Sequence, residues 1–327
     1  MKDAFRWGII GTGGIAIAFA TDLQRLKDHK VAAVGSRSAQ KGNAFAAKFQ
    51  DCKAYGSYEE LVADPNIDGV YVATPHTSHV ANTLLAVRSG KPVLCEKPFA
   101  VNSAEAKLMI DAAREMNVTL MEAMWTRFLP HIKKTRDLLS SGVLGEIISV
   151  EADHGQRLAP LQIPRLMLPE LAGGALLDLG IYPISFAHMV LGVPEKITAS
   201  STFTAEGVDA QTSAIFNYAS GAQAILTANM ITSTPCRAVI SGTLGRLEID
   251  SVFYRPTPMR LVLNDGTITD YPNGYEGLGH REEAIEFAQL VRSSKMESSI
   301  LTLNQTYEIM QSLDEIRSQV KLSYPFE

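Results

Sequence analysis

The stretch Trp7-Gly8-Ile9-Ile10-Gly11-Thr12-Gly13-Gly14-Ile15-Ala16 decides the fold. A short apolar run passes into glycines and then into a helical stretch through about Leu26, the pattern of a strand, a tight turn and a helix. Gly11, Gly13 and Ala16 fit G-x-G-x-x-A. The first glycine permits the turn, the second lets backbone approach a pyrophosphate, and the small Ala16 lets helix and strand pack closely. The helix start offers N–H groups and a partial positive charge to phosphates. Thr12, Gly14 and Ile15 complete the candidate cradle. Glycines also serve ordinary turns, so the motif takes its weight from what surrounds it.

That surrounding is an alternation. Strand-like runs recur at 31–34, 69–74, 92–95 and 118–121, with helical stretches between them. Asn102 followed by Glu105 reads as an N-cap with its partner three residues on, and Leu108, Ala112 and Met116 read as the apolar stripe of that helix. Alternation at this spacing implies right-handed βαβ units around a parallel sheet. After Trp125 the character changes: a helix at 132–140, a strand at 147–150, a long helix over about 174–191, then strand-like stretches at 197–204, 212–218, 222–230, 237–241 and 261–269. Asn264-Asp265-Gly266 marks a hairpin. Helices at 281–291 and 303–320 close the chain. The expected architecture is an α/β domain over 1–124 and an α+β domain with an open, mainly antiparallel sheet over 125–327.

The chain has 327 residues, 46% hydrophobic and 20% charged, with a net charge of −5. That composition suits a globular enzyme and argues against general attraction to nucleic acid or anionic membranes. The N-terminus shows no signal core, no window holds the run of uninterrupted apolar residues a membrane helix needs, and three scattered cysteines give no disulfide framework, so a reducing cytoplasm is expected. Cofactor choice is written at the end of the second strand. No acidic residue lies between Asp28 and Asp51 to bind a ribose 2′-hydroxyl, while Ser36, Arg37 and Lys41 suit a 2′-phosphate. NADP is expected over NAD; otherwise Arg37 and Lys41 are solvated surface charges.

Two further patterns carry chemistry. Glu96-Lys97-Pro98 ends a buried-type strand, where ligands of open parallel sheets bind. Either Lys97 hydrogen-bonds a substrate oxygen, or Glu96 and Lys97 form a strand-end ion pair. Asp178 and Tyr182 are four apart on an apolar helix and would share one face. Either they act on substrate, or they are a buried tyrosine and its structural partner. A phenol, with a reference pKa of about 10, needs a nearby positive charge to act as a base near neutrality. Thr74, Pro75, His76 and His79 lie at another strand end. His76 and His79 are three apart, but no metal-binding motif accompanies them, so no metal is expected.

Residues 11–16, Glu96-Lys97-Pro98 and the block over 173–183 together resemble the glucose–fructose oxidoreductase/inositol dehydrogenase (Gfo/Idh/MocA) superfamily over nearly the whole chain. The segments 122–130 and 173–183 look most like the branch with dimeric dihydrodiol dehydrogenase and NADP-dependent xylose dehydrogenases. The resemblance implies an N-terminal Rossmann domain and a C-terminal domain whose open sheet pairs subunits into a homodimer or a dimer of dimers. It implies a sugar or diol substrate, with Lys97, Asp178 and Tyr182 catalytic. Tyr182 stands where many superfamily members carry His. Glu96 and His79 would lie on the cofactor side, and Trp125 and Arg127 would face substrate. Rival readings are an NADP-binding regulator of the same fold and a redox-assisted lyase or glycosidase.

Overall fold

The computed structural model describes residues 4–327; Met1–Asp3, where the reading of the N-terminus begins, lie outside the described residues. The chain divides into two compact units, the first running to Trp125 and resuming over Gly277–Tyr307, the second made of Thr126–Glu276 and Glu308–Glu327.

In the first unit, β1 (Phe5–Ile10), β2 (His29–Gly35), β3 (Lys53–Tyr55), β4 (Gly69–Val72), β5 (Val93–Glu96) and β6 (Leu120–Ala123) form a parallel sheet in the order β3-β2-β1-β4-β5-β6. Every residue of β4, β5 and β6 is buried, because helices cover both faces of such a sheet and the strands read as continuous apolar runs. Those helices are α1 (Gly14–Leu23), α2 (Ala39–Ala46), α3 (Tyr58–Val62), α4 (His79–Arg88) and α5 (Ser103–Glu115). The strand order reverses between β1 and β4, so the crevice at their carboxyl ends is the topological switch point. Asn102 caps α5 as expected, accepting from the Glu105 N–H at 2.9 Å. The expected stripe of α5 is corrected: Leu108 is 58% and Met116 44% exposed, and the buried face is Ala106, Met109, Ile110 and Ala113. Alanines on several sides let two stripes be drawn, and the one holding the branched Ile110 and Met109 side by side removes more apolar surface from water.

The second unit holds α6 (Pro130–Ser140), β7 (Ile147–Gly155), α7 (Pro164–Met167), α8 (Ile181–Leu191) and β8 (Lys196–Phe203). The strands β9 (Asp209–Asn217), β10 (Gln223–Asn229), β11 (Ala238–Gly242), β12 (Gly245–Ile249), β13 (Met259–Leu263) and β14 (Ile268–Tyr271) follow. Its eight-stranded sheet runs β14-β13-β12-β11-β7-β10-β9-β8, antiparallel throughout except for β7 beside β10. Alternation sets the two faces: Ala224, Leu226 and Ala228 are buried, whereas Gln223 and Ile225 are exposed. Asn264-Asp265-Gly266 does turn β13 into β14, with Gly266 at φ +90°. The segment Pro169–Leu191 is long and apolar enough to cross a membrane by composition, with a window hydropathy of 1.4, yet 83% of that window is buried inside the protein. It is a core segment.

The chain then returns to the first unit as α9 (His280–Arg292), followed by α10 (Leu303–Val320). This corrects a division at 124/125 into two continuous pieces. Phe287 of α9 joins the aromatic core of β1, its ring 5.3 Å from Trp7 and 6.1 Å from Phe5. Asp22 of α1, fully buried, accepts from the backbone N–H groups of Leu278, Gly279 and Arg281 at 3.0–3.2 Å. A carboxylate on orphan N–H groups at a helix start is favourable in hydrogen bonding and in charge.

Candidate active site

At the turn after β1, Gly11 adopts φ +111°, and a Cβ there would lie 2.5 Å from the Ala73 carbonyl oxygen. Only glycine fits. Gly13 and Gly14 are the opposite case: both are exposed, and a Cβ on either would meet nothing within 4 Å. No side chain caps the start of α1, and Ala16 is buried behind it. Bare backbone beside open space, at a helix N-terminus, fits a dinucleotide pyrophosphate.

Beyond β2, Arg37 and Lys41 are exposed. Ser36 is buried, its hydroxyl accepting from the Ser38 N–H at 3.2 Å, and Ser38 caps α2. Beyond β4, Thr74 is half-buried and Pro75 exposed, whereas His76 is buried. His79 is completely enclosed. Its ring nitrogens each lie 2.9 Å from a carbonyl oxygen, Nδ1 from Pro98 and Nε2 from Thr74. His79 therefore ties the loops after β4 and β5 together. Among the described residues, no group of three or more His, Cys, Asp or Glu side chains is placed to hold a metal ion.

Beyond β5, the Lys97–Pro98 bond is cis and Lys97 is half-buried. Glu96 points inward, accepting from the Tyr71 hydroxyl and, at 3.1 Å, from the Lys97 backbone N–H. Burial and the nearby Glu283 push its carboxyl up to about 7, against the pull of the Tyr71 hydrogen bond. It shapes the loop from within. Trp125 is buried with its ring 4.6 Å from His280.

In the second unit, the expected uniform helix is interrupted. Leu176–Gly180 is a π-helical turn leading into α8, so Asp178 and Tyr182 are not set at ordinary α-helical spacing. Such turns are frequent at functional sites. The helix start is pinned by Asp209, which accepts from the Leu176 N–H at 2.8 Å and from the Thr212 hydroxyl at 2.7 Å. Burial pushes Asp209 up to about 6, with those bonds opposing. Gly174, at φ +120°, leaves room for its carboxylate: a Cβ would lie 2.1 Å from Oδ1. Asp178 pairs with Arg165 of α7 at 2.9 Å, a partner that spacing does not reveal.

Tyr182 is buried, its ring packed on His154 (centroids 5.0 Å apart) and on Tyr254 (4.9 Å). His154 in turn stacks on Tyr254 at 4.0 Å. Neither neighbour was singled out from sequence. The Tyr254 carbonyl accepts from the Thr126 hydroxyl, and the Phe253 carbonyl lies 2.9 Å from His131 Nε2. Arg127 is only 2% exposed and donates to the Ser185 carbonyl at 2.7 Å. It braces α8 from inside.

Comparison with known proteins agrees with this geometry. Residues 5–124 match the family described as an oxidoreductase family with an NAD-binding Rossmann fold, and residues 132–248 match the GFO/IDH/MocA C-terminal domain. The trans-1,2-dihydrobenzene-1,2-diol dehydrogenase of Xenopus laevis is 39% identical over 332 residues, covering 98% of this chain and all of the relative. Its counterpart in Homo sapiens is 35% identical, with 98% of each chain covered. A 3-ketoreductase from Actinomadura kijaniata, solved with NADP and TDP-benzene, superposes with a TM-score of 0.85 at 26% identity, covering 97% of this chain and 98% of its own. That enzyme has also been solved with a lysine replaced and with a tyrosine replaced. With a Rossmann sheet, an open glycine cradle and matches to both halves, this chain belongs to the Gfo/Idh/MocA oxidoreductase family.

Proposed function

We propose that the protein is an NADP-dependent dehydrogenase or reductase acting on a CH–OH group of a sugar, diol or related compound. The observation that carries this reading is the open cradle of bare backbone at Gly13 and Gly14; the second unit, taken by itself, buries Tyr182 in a ring cluster. The dihydrodiol dehydrogenase relatives and the NADP-bound ketoreductase support it. When bound, NADP supplies the hydride acceptor or donor. The cradle and the start of α1 hold its pyrophosphate; Arg37 and Lys41 grip the 2′-phosphate. Lys97 hydrogen-bonds the substrate oxygen. Tyr182 takes the hydroxyl proton in oxidation and returns it in reduction. Asp178, steadied by Arg165, orients the reacting groups.

A screen of NADP+ reduction with aldoses, inositols and diols, alongside NADPH oxidation with dicarbonyls and ketosugars, tests the reading. Turnover in either arm supports it; tight NADP binding with no turnover in any arm favours a regulator. Cofactor choice is tested separately. Arg37→Ala should weaken NADP relative to NAD by about 1.5–3 kcal/mol, the loss of a charge-assisted contact. Equal affinity of the unaltered protein for both cofactors would refute the 2′-phosphate assignment.

The open face of the second sheet supports pairing with a second copy in a homodimer or a dimer of dimers. Ile225 of β10 lies directly opposite Ile215 of β9, and they are 45% and 42% exposed. An isologous contact would cover both. Light scattering at micromolar concentration should give at least twice the chain mass, and Ile225→Glu should lower it; a monomer without the substitution would exclude the pairing. With Cys52, Cys95 and Cys236 all free, a reducing cytoplasm is the compartment we assign.

A further inference from the structure

Gln156 follows β7 directly, with its own N–H bonded to the Asn229 carbonyl at 2.9 Å. Its side-chain nitrogen lies 2.8 Å from His154 Nε2 and 2.9 Å from the Tyr254 hydroxyl oxygen. An amide nitrogen carries two hydrogens and accepts none. Both hydrogens are therefore engaged, one toward each partner, and His154 Nε2 is an acceptor. The imidazole then carries its single proton on Nδ1 and is neutral. A proton on Nε2 would point at the amide's own hydrogen.

The ring it fixes is not idle packing. His154, Tyr182 and Tyr254 are mutual neighbours, with centroids 4.0–5.0 Å apart. The loop bearing Tyr254 is held at successive residues: Phe253 N–H on the Cys236 carbonyl, the Phe253 carbonyl by His131, and the Tyr254 carbonyl by Thr126. One backbone bond and two side-chain braces on one loop serve placement of the ring it carries.

We propose that Gln156 locks His154 in its neutral form against Tyr254 and Tyr182, making His154 the positioning residue that sets how readily Tyr182 exchanges its proton. The inference rests on the reading of Tyr182 as the acid–base group. A neutral imidazole places no charge beside the phenol, so Tyr182 keeps its proton until substrate is present. An imidazolium in the same place would favour the phenolate prematurely. Tyr254 cannot substitute, because burial, with smaller contributions from Cys236 and Tyr182, pushes its phenol up to about 12. Among the charged or titratable groups near these rings are Cys236 and Arg255 beside Tyr254, and Asp178, paired with Arg165, lies four residues before Tyr182 in sequence. Asp153, one residue before His154, is engaged by the Cys236 and Arg237 N–H groups.

Gln156→Glu tests this by setting a carboxylate against Nε2, which makes the imidazolium the favoured form. Tyr182 ionisation is read as tyrosinate absorbance in the cofactor-free protein, with the same titration in a Tyr182→Phe background subtracted. The titration should move to lower pH by about one to two units, the order expected for a unit charge at roughly 5 Å. The alkaline rise of kcat/KM for oxidation should move with it. His154→Phe in the Gln156→Glu background keeps a ring but no charge, and should return both to their original positions. If Gln156→Glu does not fold, Gln156→Met, which removes the lock without adding charge, should raise the pH at which His154 takes up a proton, read from its ring-proton resonances. An unmoved Tyr182 titration in folded Gln156→Glu, a shift that survives His154→Phe, or an unmoved His154 titration in Gln156→Met overturns the proposal. Because absorbance reads the coupling without turnover, it can hold or fail independently of the catalytic role of Tyr182.

Discussion

Tyr182→Phe is expected to lower turnover about 10²–10⁴-fold, the usual contribution of a positioned acid–base group, while melting temperature and NADP affinity stay nearly unchanged. The substitution removes one hydroxyl and leaves the ring to pack on His154 and Tyr254. If the hydroxyl acts only in proton transfer, the loss should fall on kcat. Lys97→Met should suppress turnover as well. If the two residues act as one unit, the double variant loses less than the product of the single losses. Tyr182→His should restore part of the rate, with an optimum nearer neutrality. Full activity of Tyr182→Phe on a confirmed substrate would make the phenol structural and end the proposed mechanism.

The second large effect is expected at the glycine cradle, where neighbouring glycines should answer differently to the same change. Gly11→Ala forces an L-residue into φ +111° and drives its Cβ to 2.5 Å from a backbone oxygen. Strain and overpacking together should cost about 2–4 kcal/mol, seen as a drop of several degrees in melting temperature along with loss of NADP binding. Gly13→Ala meets nothing within 4 Å in the protein alone, so stability should hold while NADP affinity falls, because the added methyl occupies space the pyrophosphate needs. If Gly13→Ala binds NADP as well as the unaltered protein, the phosphates lie elsewhere. If Gly11→Ala is as stable as its parent, the turn is not the constraint described.

What could be read from the sequence was local. The parallel sheet announced itself through apolar runs alternating with helices, the cradle through glycine spacing, and the cap of α5 through Asn102 and Glu105. Tyr182 stood out as a polar group on an apolar helix. What escaped was set by contacts distant in sequence or by departures from regular geometry. Arg165 meets Asp178 across a loop, and Tyr254 reaches Tyr182 from more than seventy residues downstream. The π turn at Leu176–Gly180 changes the phase of a helix whose composition reads as ordinary α. Glu96 and His79 lie next to half-buried residues, whereas Arg127 is a charge inside a buried run, and their hydrogen-bond partners are invisible in a one-dimensional pattern. Polar side chains can brace a fold from inside as readily as they can greet a ligand, and only their hydrogen-bond partners tell the two apart.

The bond from Asp22 to the start of α9 has a consequence for synthesis of the chain. The first half cannot complete itself when it emerges from the ribosome, because the helix carrying Phe287 is made only after the whole of Thr126–Glu276. At about 5–20 residues per second, the nascent sheet waits on the order of ten seconds or more with the apolar surface around Phe5 and Trp7 uncovered and Asp22 without its backbone donors. The two units thus alternate along the chain, and the strands of the eight-stranded sheet are all made while the first unit is still open. A chain interrupted anywhere before residue 290 would present that aromatic surface permanently, a feature that chaperones and proteases recognise.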